Sequence, residues 1–304
     1  MSILALRSKA PSGKTSSGKP FNVLNATFMV ILSVMCVYPF YLQLCVALSD
    51  GPAVAAGQVR FLPVNLNIET FRYILTDGQL MIGRAIANSM LYTVAGTLYA
   101  VAITFITAYP LSKQWLKGRR VIMFLFVITW IFDAGIVPAF IVYQKLGFVN
   151  NWLVMVIPWG FNTFLLIITM TYLRSIPAEL EEAALMDGAG DLRILWSVYL
   201  PLAKPILATI SVFYAIQVWN QFLVPLIYLQ KPDLAPIQLV LYQLLLSGDA
   251  QSGNFQQITS NGVTILPVNL RAATMVLAIL PIMLVFPFAQ RYFSKGILLG
   301  SVKG

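Results

Sequence analysis

Six long apolar runs dominate the chain, and each holds very few charged residues. They cover residues 23–48, 86–112, 121–143, 152–174, 204–229 and 270–290. A helix needs roughly 20 apolar residues to cross a bilayer. In lipid the backbone hydrogen bonds must be satisfied within the segment, and these runs are too long for the strands of a barrel. The pattern therefore predicts an all-α, polytopic membrane protein with six transmembrane helices.

Prolines interrupt several of these runs. They are Pro39, Pro138, Pro158, Pro225, Pro281 and Pro287. Proline breaks an isolated helix, but neighbouring helices and Ser/Thr side chains in a membrane bundle can satisfy the freed carbonyl groups. We therefore expect kinks at these positions and not the loss of a span.

The basic residues are divided unequally between the loops on the two sides of the predicted membrane. Fourteen of the 20 Lys and Arg residues fall on the side that holds both chain termini, and six fall on the other side. Cytoplasmic loops are enriched in Lys and Arg, so both termini are predicted to be cytoplasmic. This bias accounts for the net charge of +9 without a nucleic-acid partner.

Three regions follow from this topology. Residues 1–20 are rich in Ser, Gly, Lys and Pro and are predicted to be a flexible cytoplasmic tail. Residues 21–290 form the transmembrane domain, and residues 291–304 form a second cytoplasmic tail. External loops at about 49–85 and 230–269 are long enough to contact an external partner.

The chain lacks the residue types that most metal and catalytic sites use. It contains no histidine, and its two cysteines, Cys36 and Cys45, fall in the first predicted span. Nine residues apart on one helix, they cannot form a disulfide. Without histidine the commonest general base is missing, so the sequence argues against an enzyme and against a bound metal.

One cytoplasmic connection, residues 175–203, has a distinctive pattern. Pro177 can open a helix whose first turn carries Glu179, Glu181 and Glu182 near the positive end of the helix dipole. Gly188, after Asp187, can adopt the left-handed conformation that ends a helix. The segment is therefore predicted to fold as a helix, a glycine turn and a second helix over about 192–200 that Asp191 caps.

Two interpretations of this loop are open. It can be a surface helix that only bridges two spans, with its carboxylates solvated. Alternatively, Leu180, Ala184 and Leu185 form a small apolar face that seats in a groove of a cytoplasmic protein, whose arginines pair with the carboxylates.

The run from Glu182 to Pro201 resembles the EAA signature of binding-protein-dependent ABC importer permeases, in which Glu-Ala-Ala is followed by Asp-Gly-Ala and later by Leu-Pro. The resemblance implies the type I importer permease fold. It also implies that the loop contains the coupling helix, which docks on the ATP-hydrolysing subunit. The residues that carry this role by resemblance are Glu181, Glu182, Ala183, Ala184, Asp187 and Gly188.

Other segments are similar to the MalG type of carbohydrate permease. They are Asn88-Ser89, Gly135 to Pro138, Trp219-Asn220, Gln290 to Gly296 and Gly300 to Gly304. The details are most similar to the group that imports oligosaccharides cut from pectin, alginate and related polymers. Asp133 departs from the pattern, where a small polar residue or glycine is expected.

The resemblance implies a set of partners in the bacterial inner membrane. They are a second related permease, two ATP-binding subunits and an extracytoplasmic solute-binding protein, with membrane lipid around the spans. ATP and magnesium are then bound by the ATPase subunits, and this chain binds no cofactor. Three cations near the C-terminus, Arg291, Lys295 and Lys303, are expected to contact the ATPases.

The sugar pathway is predicted from polar and aromatic residues inside the spans. Asp133 is the only acid well within a predicted span, and the fifth run carries a cluster suited to sugar binding: Tyr214, Gln217, Trp219, Asn220 and Gln221. A charge in the membrane should face a cavity or a partner. The competing interpretation of the cluster is packing between helices.

Other classes of transporter fit the sequence less well. A permease of the same importer class for amino acids or metals is the principal alternative. An ion-coupled secondary transporter is expected to show inverted repeats and several buried ionisable residues, which this chain lacks. A membrane-embedded enzyme lacks a convincing acid pair.

Overall fold

The computed structural model describes residues 19–76, 81–249, 258–260 and 263–296. The helices are α1 (Lys19–Ala47), α2 (Gly51–Ala55), α3 (Glu69–Thr76), α4 (Ile82–Ser112), α5 (Arg119–Ile131), α6 (Ile136–Lys145), α7 (Thr163–Arg174), α8 (Glu179–Met186), α9 (Asp191–Ile194), α10 (Leu200–Leu202), α11 (Lys204–Trp219), α12 (Leu223–Tyr228), α13 (Ile237–Asp249) and α14 (Pro267–Gly296). Short 3-10 turns span Trp152–Met155 and Pro232–Leu234, and a π-helical stretch spans Leu195–Tyr199.

Three predicted spans are single helices. Among the described residues, Phe21–Ala47, Ile82–Ser112 and Pro267–Pro287 are long and apolar enough to cross a membrane. Pro39, Pro281 and Pro287 lie inside α1 and α14 without ending them. Helix α14 continues to Gly296, beyond the predicted boundary at 290.

The third predicted span is bent by 113° between α5 and α6. The bend lies at residues 132–135, where the backbone N–H of Gly135 donates to Asp133 Oδ1 at 2.9 Å. Gly135 has φ +81°, which a residue with a side chain rarely adopts. Asp133 therefore occupies a break between two helices and not the middle of a helix, and Pro138 lies in the first turn of α6.

The fourth and fifth predicted spans are also not continuous. Run 152–174 contains the turn Trp152–Met155, a non-helical stretch with Pro158, and the 12-residue helix α7. In run 204–229, α11 ends at Trp219 and Pro225 lies in the first turn of α12. Counting each bent pair as one span gives five at most among the described residues, so six continuous helices are not reproduced.

The largest buried cluster lies where α4, α7 and α11 meet the segment after α9. Its members include Ala100, Phe105, Leu165, Leu166, Ile194, Tyr199, Ile206, Ile210 and Tyr214. Gly96 allows α4 and α11 to approach, since a Cβ there would lie 3.2 Å from a methyl group of Val218. This cluster holds part of the 175–203 loop against the ends of α4, α7 and α11.

The described parts of the loops predicted to be external lie at the opposite end of α4. A two-stranded antiparallel hairpin, β1 (Ile258–Ser260) and β2 (Val263–Ile265), precedes α14. The buried amide of Asn269 in α14 donates to the carbonyls of Val46 and Ser49, at 3.0 and 2.9 Å. These bonds join the end of α1 to the start of α14.

Candidate coupling site

The 175–203 loop adopts the predicted helix, turn and helix. Helix α8 ends at Met186, and Gly188 has φ +75°. The N–H of Gly188 donates to the carbonyl of Leu185 at 2.9 Å, and the N–H of Ala189 donates to that of Ala184 at 3.0 Å. Three details differ from the prediction. Helix α8 begins at Glu179, two residues after Pro177. Gly190 holds the N-cap position of the second helix, so Asp191 lies in its first turn, and α9 is followed by the π-helical stretch Leu195–Tyr199.

The EAA segment presents two different faces. Glu182, Ala183 and Met186 are exposed, and Met186 is 88% exposed. Glu181 and Ala184 turn inward, and Ala184 packs against the largest buried cluster. The sequence-based expectation that all the acids of this helix stay solvated is therefore wrong for Glu181.

Glu181 belongs to a cage around a buried cation, Lys113, at the end of α4. The side chain of Lys113 is 6% exposed, and its Nζ lies 2.5 Å from Glu181 Oε2. The same ammonium lies over the rings of Tyr199 and Tyr109, at 3.8 and 4.5 Å from their centroids. The hydroxyl of Tyr199 donates to Glu181 Oε2 at 2.8 Å, so the carboxylate accepts from both groups.

The protonation of this cage follows from its burial. Burial lowers the pKa of the Lys113 ammonium, while the hydrogen bond and charge of Glu181 act in the opposite direction. Burial and the Glu181 carboxylate raise the pKa of the Tyr199 hydroxyl. An uncompensated buried charge is costly, so removing either member of the ion pair destabilises the cage.

Two arginines complete the surroundings of the α4 C-terminus. Arg174 Nη2 donates to the carbonyl of Leu111 at 3.2 Å, and Arg119 Nη1 lies 3.5 Å from the carbonyl of Lys113. Cations are favoured at the negative end of a helix dipole. The C-terminus of α4 is thus contacted by α5, α7, α8 and the segment before α10.

Sequence reasoning missed this cage because its members lie far apart in the chain. Lys113 is 68 residues from Glu181, and as a basic residue after a span it looks like any other cytoplasmic charge. Tyr199 lies 18 residues after Glu181. No periodicity or motif in the sequence links these positions.

Two predicted pathway residues are packing residues in the structure. The side chain of Tyr214 is fully buried, and its hydroxyl shares a 2.6 Å hydrogen bond with Thr104 and accepts from the N–H of Asn162 at 3.1 Å. Trp219 is 6% exposed and donates from Nε1 to the carbonyl of Ala278 at 3.0 Å. These contacts support the competing interpretation, packing between helices, for both side chains, and their role in transport stays a prediction.

The other predicted pathway residues are more accessible. Asp133 and Asn220 are exposed, and Gln217 and Gln221 are half-buried. The side-chain amide of Asn220 donates to the carbonyl of Ile216 at 2.9 Å. These four residues are at least partly exposed in this chain, and their role in transport stays a prediction.

A cavity of about 250 Å³ lies between α4, α11 and α14. Its lining is apolar and includes Met90, Val94, Ile216, Trp219, Ile282 and Phe286. Apart from the hydroxyl of Thr93, which is buried without a hydrogen-bond partner, this lining offers almost no hydrogen bonds to a sugar. Among the described residues, no group of three or more Asp, Glu or Cys side chains converges on a metal site.

The predicted C-terminal contacts lie largely outside the description of side chains. Arg291 and Lys295 fall within α14, and Lys303 lies outside the described residues. Their contact with ATPases stays a prediction.

Comparison with known proteins identifies the family. Residues 80–299 match the family described as "Binding-protein-dependent transport system inner membrane component". The chain is 34% identical over 284 residues to the polygalacturonan/rhamnogalacturonan transport system permease protein YtcP of Bacillus subtilis, covering 93% of this chain and 98% of that protein. It is 31% identical over 290 residues to Protein LplC of the same organism, covering 95% and 97%.

Solved structures agree with this result. A chain of a bacterial ABC transporter involved in the import of the acidic polysaccharide alginate superposes with a TM-score of 0.83 at 33% identity, covering 92% of this chain and 98% of that one. A second chain, from a bacterial alginate ABC transporter in complex with an alginate pentasaccharide-bound periplasmic protein, has a TM-score of 0.53 at 17% identity and shows the fold alone. The all-α importer permease fold is confirmed, and the chain belongs to the family of inner membrane components of binding-protein-dependent transport systems.

Proposed function

We propose that this chain forms half of the pathway through which an ABC importer takes up acidic oligosaccharides. The observation that carries the proposal is the exposed face of α8, where Glu182 and Met186 stand next to a left-handed turn at Gly188. An exposed apolar residue beside a carboxylate suits a groove that supplies both apolar contact and arginines. The occupant of that face is an ATP-hydrolysing subunit, and this chain performs no covalent chemistry.

The substrate class is supported by the relatives. Polygalacturonan and alginate, which appear in the names of two similar proteins, are both polymers of carboxylated sugars. Both proteins match almost the whole of this chain at about one-third identity. The proposed cargo is therefore a short uronate oligomer, delivered by an extracytoplasmic solute-binding protein to a heterodimer of this chain and a related permease.

The proposed orientation places both termini and α8 in the cytoplasm. Fourteen of the 20 Lys and Arg residues fall on the side that holds both termini, and this excess supports a cytoplasmic location for that side. The cage at Lys113 and the hydrogen bonds of Asn88 lie at opposite ends of α4, which supports the assignment of the two sets of loops to opposite sides of the membrane. Proteolysis of residues 175–203 from outside intact cells would contradict this orientation.

Uptake into vesicles tests the proposed function. We expect proteoliposomes holding this chain with its sister permease and ATPases to accumulate radiolabelled trigalacturonate when ATP is inside and the binding protein is outside. Neutral maltotriose is the matched control and is not accumulated. Accumulation driven by an ion gradient without ATP would overturn the importer assignment, and uptake of maltotriose alone would overturn the acidic cargo.

A further inference from the structure

Helix α4 is one uninterrupted helix of 31 residues. At 1.5 Å per residue its axis is about 46 Å long, which is more than the thickness of the hydrocarbon core. Its interior is held by close contact of Gly96 with Val218 and by the bond between Thr104 and Tyr214. A continuous helix held by such close contacts transmits displacement from one end to the other.

The cytoplasmic end of α4 is fastened to α8 through the cage. Lys113 is the only charged residue that is buried among those whose side chains the structure describes. Its ion pair with Glu181 joins α4 to α8, and its contact with the Tyr199 ring joins both to the segment before α10. Movement of α8 away from α4 that leaves the ammonium buried would remove its carboxylate partner, which is strongly unfavourable.

The other end of α4 is fastened to the external segment 233–237. The side-chain amide of Asn88 donates to the carbonyls of Asp233 and Ala235, at 2.8 and 3.1 Å. The hydroxyl of Tyr92 donates to the carbonyl of Leu234 at 3.0 Å, and the N–H of Ile237 donates to Ser89 at 2.8 Å. Four hydrogen bonds therefore bind the backbone of this segment to two turns of α4.

We propose that α4 is a strut between α8 and segment 233–237, with Lys113 and Asn88 as the positioning residues at its two ends. The proposal rests on the docking of α8 to an ATPase. A nucleotide-driven shift of α8 is carried by the Lys113 ion pair into α4, and the amide of Asn88 carries it to the external surface. In the reverse direction, an external protein that binds at 233–237 displaces the same helix and thereby changes the activity of the ATPase.

The cytoplasmic end is tested with Lys113→Gln in the complete importer. We expect the amount of substrate transported per ATP hydrolysed to fall by about fivefold or more, the lower end of typical coupling between sites. Lys117→Gln removes the same charge from an exposed position in the same loop and should leave the ratio unchanged. Because Lys113 acts through Glu181, the double variant with Glu181→Gln should be no worse than the more damaging single variant.

The external end is tested with Asn88→Leu, which removes the amide from 233–237. We expect stimulation of ATP hydrolysis by the binding protein to fall about fivefold or more. Arg84→Gln is the control, because its exposed ion pair with Asp233 at 3.5 Å contributes little. Equal stimulation in both variants would overturn the strut.

These outcomes separate the strut from the proposed function. If the wild-type chain fails to assemble with an ATPase, the importer assignment fails. If the wild-type complex transports and Lys113→Gln keeps the wild-type ratio, the strut fails while the assignment stands. A lower melting temperature of Lys113→Gln with an unchanged ratio also overturns the proposal, since the cage would then only stabilise the fold.

Discussion

Gly188→Val is expected to abolish coupled transport while the chain still inserts into the membrane. Gly188 has φ +75°, and a residue with a side chain pays roughly 1–2 kcal/mol to adopt this left-handed conformation. A Cβ at this position would meet no atom within 4 Å, so the strain arises from the backbone alone. Relief of that strain requires the turn to change, which re-aims α8 relative to the membrane helices.

Two glycines serve as controls for this variant. Gly190 lies two residues away with φ −77° and open space around it, so Gly190→Val should keep ATPase stimulation and uptake. Gly57, in the loop between α2 and α3, has φ +67° and equally open space around it. Gly57→Val therefore imposes similar backbone strain at a position far from α8, and it shows what that strain alone does to uptake. Equal uptake by Gly188→Val and Gly190→Val would show that the left-handed turn has no role in coupling.

Trp219→Ala is expected to lower the stability of the assembled subunit by roughly 3 kcal/mol, as for other buried tryptophans. The side chain is 6% exposed, borders the apolar cavity and donates a 3.0 Å hydrogen bond to Ala278. Its removal enlarges that cavity and leaves the carbonyl without this donor. The midpoint of thermal unfolding of the purified complex in detergent measures the loss.

Uptake by this variant distinguishes packing from sugar contact. For a packing residue, the rate per folded complex stays near the wild-type value while the amount of complex falls. Trp115→Ala is the control, because Trp115 is exposed and its removal should change neither quantity. Normal thermal stability with lost uptake would instead place Trp219 in the sugar pathway.

Local patterns in the sequence predicted the coupling loop well. Proline, acidic residues and glycine each have strong preferences for one position in a helix, so α8 and the turn at Gly188 follow from residues within a dozen positions of one another. Apolar runs likewise predicted α1, α4 and α14, whose composition stays apolar for more than 20 residues. Such signals depend on neighbours along the chain.

The features that sequence reasoning missed depend on contacts between distant residues. Hydropathy does not distinguish a straight span from α5 and α6, because Asp133 and Gly135 make their turn without interrupting the apolar run for long. Polar residues of α11 suggested a sugar site, yet Tyr214 uses its hydroxyl to join α4 and the start of α7. Composition shows that a polar group needs a partner, but the fold decides which partner it finds.

The exposed face of α8 is the feature on which the proposed docking to an ATPase depends most directly. A photo-cross-linking amino acid placed at Met186, which is 88% exposed, reports what covers that face in the assembled complex. We predict an efficient cross-link from position 186 to the ATPase subunit, and none to that subunit from the exposed Phe61, which lies in a loop predicted to be external. Cross-links from position 186 to lipid or to the sister permease alone, in a complex that contains the ATPase, would contradict the proposed docking of α8.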